Sequence, residues 1–97
     1  MVYEKKLESF EELKRELKML DMDGGIRIDG EYDGIRCFIF LTTSTMGHSV
    51  AIYTKKHGSK DSEVPDRQLL IKKYGDEGEL IKFLRKVTNK HMEAYSY

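Results

Sequence analysis

The spacing of apolar residues changes at Gly24-Gly25, and this change limits the folds that the chain can adopt. Before the two glycines, apolar residues recur every three or four positions from Phe10 to Leu20, which is typical of one face of a helix. After them, Ile26 and Ile28 alternate with polar residues, as in a half-buried strand. Adjacent glycines favour turn conformations and end the helix. The sequence therefore predicts a helix followed by a sheet.

Capping sequences mark the start of two helices. Ser9 and Glu12 have the spacing of a capping box, in which a hydroxyl and a carboxylate satisfy free amides at a helix start. Residues 76–79 form a second capping sequence, and an amphipathic pattern follows from Leu80 to His91. We expect the first helix to run from about Phe10 to Leu20 and the last helix to end near Met92.

The residues between these helices predict an antiparallel sheet. Residues 26–29, 35–42 and 50–55 have strand patterns, with a turn at residues 30–34. Residues 67–74 are compatible with two structures, because Pro65 and Gly75 favour a short helix while the apolar run also suits an edge strand. Both interpretations stay open at this point.

The predicted fold is thus a single compact α+β domain over residues 1–97. A three- or four-stranded antiparallel sheet packs against N-terminal and C-terminal helices, in the order α-β-β-β-(α or β)-α. The predicted core consists of the apolar residues on the inner faces of these elements. They are Leu13, Leu17, Ile26, Ile28, Ile39, Leu41, Val50, Ile52, Leu80, Leu84 and Val87.

Composition excludes several ways of stabilising so small a chain. The 97 residues contain one cysteine, which cannot form an intrachain disulfide, and no Cys/His spacing resembles a zinc site. The longest uncharged apolar run, residues 37–41, is far shorter than the roughly 20 residues of a membrane helix. Residues 1–9 lack the apolar stretch of a signal peptide. We expect a cytoplasmic protein without metal, cofactor or membrane contact.

The balance of charged and amide residues indicates a habitat. Charged residues make up 35% of the chain, whereas Gln68 and Asn89 are its only amides, as in proteins of thermophiles. We interpret the source as a thermophile, most simply an archaeon.

The two halves of the chain differ in charge. Residues 1–50 hold 7 basic and 10 acidic groups, and residues 51–97 hold 10 basic and 7 acidic groups, so the halves carry −3 and +3. Such a dipolar chain can self-associate despite its zero net charge.

One face of the predicted sheet carries aromatic and basic side chains. Pairing of the second and third strands places Cys37 and Ile39 on the core side and Phe38 and Phe40 on the other. The candidate interface is Arg27, Arg36, Phe38, Phe40, Tyr53 and Lys55, joined by Lys72 and Tyr74 if residues 67–74 form a strand. We favour a homodimer or another protein interface at this face. The alternatives are single-stranded nucleic acid, whose bases stack on aromatic rings, and simple core covered by helices.

A hydroxyl-rich loop between the second and third strands is a second candidate site. Thr43, Ser44, Thr45, Gly47 and His48 could hold an anion through hydroxyls and backbone amides. The same residue types also make local hydrogen bonds in turns. We therefore favour an ordinary polar hairpin tip.

The sequence contains little that indicates catalysis. It has no phosphate-binding glycine loop, zinc-protease motif or serine-hydrolase elbow. Asp66 with Glu79 and Lys82 is faintly similar to a metal-dependent nuclease, but Glu79 and Lys82 are three apart on a helix where that motif needs two on a strand. The nuclease stays a remote alternative. Since no resemblance covers enough of the chain to name a family, we expect a non-enzymatic interaction module.

Overall fold

The computed structural model describes residues 5–58, 63–88 and 93–97. These residues form β1 (Lys5–Leu7), α1 (Phe10–Met19), β2 (Ile26–Tyr32), β3 (Ile35–Ser44), β4 (Gly47–His57), β5 (Glu63–Tyr74), α2 (Glu77–Val87) and β6 (Glu93–Ser96). The described strands make one antiparallel sheet in the spatial order β1-β6-β2-β3-β4-β5. In these described segments, neither helix has the length and apolar character needed to cross a bilayer.

The prediction of a three- or four-stranded sheet is wrong, because the described residues form six strands and the fold is mostly β. The two strands missing from the prediction, β1 and β6, have only 3 and 4 residues and carry almost no alternation. β6 enters the sheet between β1 and β2, where Ala94 lies opposite both Leu7 and Ile28. Residues near the two ends of the chain thus complete one edge of the sheet.

Residues 67–74 belong to a strand, so the short helix in that region is excluded. β5 lies at one edge of the sheet, opposite to β1. An edge strand tolerates Pro65, because the missing N–H of proline removes at most one hydrogen bond from the ladder. The register against β4 shifts at two places, on either side of Tyr53. These irregularities break the two-residue alternation that identifies a strand in sequence.

The first helix begins at the predicted capping sequence. The Ser9 Oγ accepts a hydrogen bond from the Glu12 N–H at 3.2 Å. The Glu12 carboxylate accepts from the Glu8 N–H at 2.8 Å, one residue before the position expected in a capping box. The apolar stripe of this helix then buries Leu13 and Leu17 completely.

The last helix begins as predicted and ends earlier than expected. The Asp76 carboxylate accepts a hydrogen bond from the Gly78 N–H at 2.9 Å and caps the start. The helix ends at Val87, after which the Thr88 hydroxyl donates to the Leu84 carbonyl oxygen at 2.7 Å. The predicted end near Met92 is thus later than the end at Val87 that the structure describes. The candidate helix residues 91 and 92 lie outside the described residues.

Both helices pack on one face of the sheet. Every residue of the predicted core is buried, which confirms that prediction, and Leu7, Cys37, Tyr74 and Ala94 extend the core. At Gly30 a Cβ atom would lie 2.9 Å from the Val87 carbonyl oxygen. Glycine at this position therefore lets the end of α2 lie directly on β2.

The buried leucines of the two helices should dominate the stability of the fold. Leu17→Ala and Leu84→Ala each leave a cavity between a helix and the sheet, so we expect each to lower the free energy of unfolding by about 2 to 5 kcal/mol. Met19→Ala, at an exposed position of α1, is the matched control. Urea denaturation measures the three effects. Leucine variants as stable as Met19→Ala would contradict this packing.

Candidate interaction surface

The face of the sheet opposite to the helices is called the open face here. Cross-strand register gives it two neighbouring rows of side chains. The first row crosses the sheet through Tyr95, Arg27, Phe40, Ala51 and Ile71, and the second through Asp29, Phe38, Tyr53 and Gln68. Arg36, Lys55 and Lys73 lie beside these rows on the same face. Within the described residues, no helix covers this face.

Six of the predicted interface residues lie on the open face and two do not. Arg27, Arg36, Phe38, Phe40, Tyr53 and Lys55 are on it. Lys72 lies opposite Val50, and Tyr74 lies opposite His48, which places both on the side of the helices. The Tyr74 ring packs there, with its centroid 6.1 Å from that of Phe83. The expectation that Lys72 and Tyr74 join the aromatic face is therefore wrong.

Phe38 lies beneath two cations. Its side chain is only 5% exposed, even though no helix among the described residues covers it. The Lys55 Nζ lies 4.6 Å from the ring centroid and the Arg27 guanidinium carbon 5.7 Å from it. Both groups are placed to interact with the negative face of the ring. The ring of Phe38 is consequently not available to stack on a ligand.

Two carboxylates hold these cations in place. The Asp29 Oδ1 lies 3.4 Å from the Arg27 guanidinium and 3.5 Å from the Lys55 Nζ. The Glu63 Oε1 lies 3.7 Å from the same Lys55 Nζ and 3.6 Å from the Arg36 guanidinium. Since the Lys55 side chain is only 8% exposed, its charge is screened little by solvent. The positive charge of the open face is largely compensated within the chain.

A smaller part of the open face is apolar and accessible. We call Phe40, Ala51, Tyr53 and Ile71 the apolar patch. Phe40 and Tyr53 are half-buried, with ring centroids 5.8 Å apart in an edge-to-face arrangement. Ile71 is 57% exposed, and the half-buried Ala51 lies between Phe40 and Ile71. This patch is the part of the face that a partner can reach.

Several residues of this surface were not among the predicted site residues, and Asp29, Ile71 and Tyr95 are three of them. Asp29 alternates with Ile28, so the two-residue period of β2 already assigns it to the open face. Ile71 lies in the segment whose structure the sequence leaves open. Tyr95, with the Arg27 guanidinium 4.6 Å from its ring centroid, belongs to the short β6. Of these three residues, only Asp29 could have been assigned to the open face from the sequence pattern.

The predicted anion-binding loop is a tight turn. β3 runs to Ser44 and β4 begins at Gly47, so that two residues connect the strands. The Ser44 hydroxyl accepts from the Met46 N–H at 3.2 Å and donates to the Gly47 carbonyl oxygen at 3.3 Å. Gly47 has a φ of 119°, and a Cβ there would lie 2.5 Å from the Tyr74 carbonyl oxygen. Turn geometry accounts for this glycine and this serine without a ligand.

The other residues of the predicted loop do not converge on one point. Thr43 and His48 lie opposite each other within the ladder, on the side of the helices, while Thr45 is in the turn. The Glu77 carboxylate lies 3.9 Å from the His48 Nε2 and would repel an anion. The arrangement supports the interpretation as a polar hairpin tip.

The residues of the remote nuclease alternative are also dispersed. Asp66 lies on β5 within 3.9 Å of the Lys56 Nζ, whereas Glu79 and Lys82 pair with each other at 3.9 Å on α2. Across the described ranges, no group of three or more His, Cys, Asp and Glu side chains is arranged to hold a metal ion. The structure offers this alternative no support.

Cys37 is a core residue. It is fully buried, and its thiol donates a weak hydrogen bond to the Gly30 carbonyl oxygen at 3.8 Å. Burial raises the pKa of the Cys37 thiol above its ordinary value, and the nearby charge of Lys55 opposes this shift only in part. The thiolate needed for nucleophilic chemistry is therefore disfavoured.

A cavity of about 730 Å³ lies beside the last residues of β2 and the turn to β3. Its lining includes Asp29, Tyr32, Lys55, Lys86 and Glu93. Its lining contains both carboxylates and cations, so the cavity does not select a ligand of one charge.

Comparison of the chain with protein-family models, with curated proteins and with solved structures found no match. Its function is therefore inferred from the open face itself.

Asp29 should contribute to stability through the two cations that it holds. Asp29→Asn removes the charge at nearly constant size and leaves Arg27 and Lys55 with less compensation, so we expect a loss of about 1 to 3 kcal/mol. Asp66→Asn, which alters an exposed ion pair, should change stability by less than about 1 kcal/mol. Urea denaturation of both variants tests the difference. Equal midpoints would show that the Asp29 contacts contribute nothing.

Proposed function

We propose that the protein is a non-enzymatic interaction module that pairs with a second copy of itself through the open face. The observation that carries this proposal is the accessible apolar patch on a sheet whose described helices all lie on the other side. An exposed apolar patch favours a cover, because water contact with large rings and aliphatic side chains is unfavourable. A second sheet of the same kind is a suitable cover.

The arrangement of charges supports a protein partner over single-stranded nucleic acid. A stacking platform needs exposed rings and free cations, and here Phe38 is covered while Lys55 and Arg27 contact Asp29. Lys72 and Tyr74 lie on the other side of the sheet. Arg36 and Lys73 are also exposed on the open face, and the apolar patch between them suits another protein surface.

The size of the open face sets the expected strength of pairing. Four strands about 4.8 Å apart and seven residues long at about 3.4 Å each cover roughly 500 Å². Two copies would then bury about 1,000 Å², which is at the lower limit for specific interfaces. The formal charge is zero, so two copies do not repel each other at long range. We expect a reversible dimer with a micromolar dissociation constant.

A charge placed in the apolar patch should separate the copies. In Ile71→Asp, a carboxylate would be buried without a partner on pairing, so we expect a folded monomer. Ile35→Asp is the matched control. Ile35 is 46% exposed, compared with 57% for Ile71, but it lies on the face of the sheet that the helices cover. Sedimentation equilibrium gives the mass of each variant, and circular dichroism checks that it is folded.

Two results would contradict the proposal. One is a monomeric unmutated protein at tens of micromolar. The other is a dimer that survives Ile71→Asp as well as it survives Ile35→Asp, since pairing would then use another surface.

The nucleic-acid alternative predicts a different result. The cations of the open face are largely compensated within the chain, so the proposed dimer predicts no binding to single strands. Fluorescence anisotropy with labelled single-stranded oligonucleotides at about 50 and 200 mM salt measures this binding. Tight binding to single strands, weaker binding to duplex and a loss of affinity in Tyr53→Ala would instead support a stacking face. That outcome would replace the dimer as the proposed function.

A further inference from the structure

We infer that the two-fold axis of this pair runs across the strands between Ala51 and Tyr53, so that Tyr53 of each copy fills the hollow over Ala51 of the other. This inference rests on the proposed function and adds the geometry of the contact. It makes the second copy the occupant of the open face because the face is complementary to itself.

The hollow is produced by the small side chain of Ala51. In the first row of the open face, Ala51 is directly between Phe40 on β3 and Ile71 on β5. Both neighbours are large, and Ile71 stands well into solvent. The surface therefore dips at Ala51, between two larger side chains of the same row.

The side chain that fills this hollow in the second copy is Tyr53, two residues further along β4. Tyr53 lies opposite Phe38 in the second row, and its ring packs edge-to-face on Phe40. The Tyr53 hydroxyl donates to the Gln68 Oε1 at 3.4 Å, which orients the ring. Tyr53 presents large area at low entropic cost, as aromatic residues do at interfaces.

Symmetry makes the two contacts occur together. A two-fold interface requires that, if Tyr53 contacts Ala51 of the second copy, Ala51 contacts that copy's Tyr53. A two-fold axis that runs across the strands, midway between Ala51 and Tyr53, places the first row of one copy over the second row of the other. The sheets then overlap along their full width, as the estimated area of the interface requires. Two sheets packed about 10 Å apart bring such side chains into contact.

Charges agree with the same axis. The exchange of rows places Arg27, in the first row, over Asp29 of the second copy, and Asp29 over that copy's Arg27. Within one copy the Arg27 guanidinium already lies 3.4 Å from Asp29, so two copies would bring together two ion pairs with alternating signs. An axis along the first row itself would place Arg27 over Arg27, which is repulsive.

Variants that exchange the large Tyr53 and the small Ala51 test this axis. Tyr53→Ala leaves the hollow unfilled and Ala51→Tyr blocks it, so each should weaken pairing by at least about tenfold. The double variant Ala51→Tyr/Tyr53→Ala restores one large residue opposite one small residue across the axis. We expect its dissociation constant to lie within about threefold of the unmutated value. Sedimentation equilibrium measures all four proteins.

Denaturation in urea serves as the control for folding, since both positions are on the surface of the monomer. A double variant that pairs no better than the weaker single variant would overturn this axis. The proposed function would still stand in that case, because the unmutated protein would remain a dimer that Ile71→Asp separates. Single variants that pair like the unmutated protein would overturn the axis as well.

Discussion

The alternation of side chains along β3 determines both faces of the sheet. Cys37, Ile39 and Leu41 are fully buried beneath the helices, and Phe38 and Phe40, between them, point to the open face. A shift of one residue in pairing would exchange the two sets. The register of β3 with β2 and β4 therefore decides which residues form the core. It also decides which rings are left without a covering helix in the described chain.

Local signals in the sequence were sufficient for the starts of both helices and for most of the core. The caps at Ser9 and Asp76 are hydrogen bonds between residues two or three apart, so a short stretch of sequence contains them whole. The short strands β1 and β6 differ in this respect. They exist because Leu7 pairs with Ala94, and no pattern within three or four residues reports a contact so distant in the chain.

The open face was predictable in part. Alternation placed Phe38, Phe40 and Tyr53 on one side, but it could not show that Phe38 is covered by its own neighbours. That depends on Asp29 and Glu63, from β2 and β5, which hold Lys55 over the ring. For Lys72 and Tyr74 the prediction was wrong, because they pair with Val50 and His48 and therefore lie on the side of the helices. Charge compensation thus covers Phe38 and pairs the cations that make this surface resemble a nucleic-acid platform in sequence.

The most direct test of the account is an isotope-filtered nuclear Overhauser experiment on a mixture of labelled and unlabelled protein. This experiment detects only contacts between different copies. We expect cross-peaks between the Ala51 methyl group and the Tyr53 ring, with further contacts from Phe40. Contacts that arise instead from exposed residues beside the helices, such as Met19 and Met22, would contradict it, and so would the absence of any contact between copies.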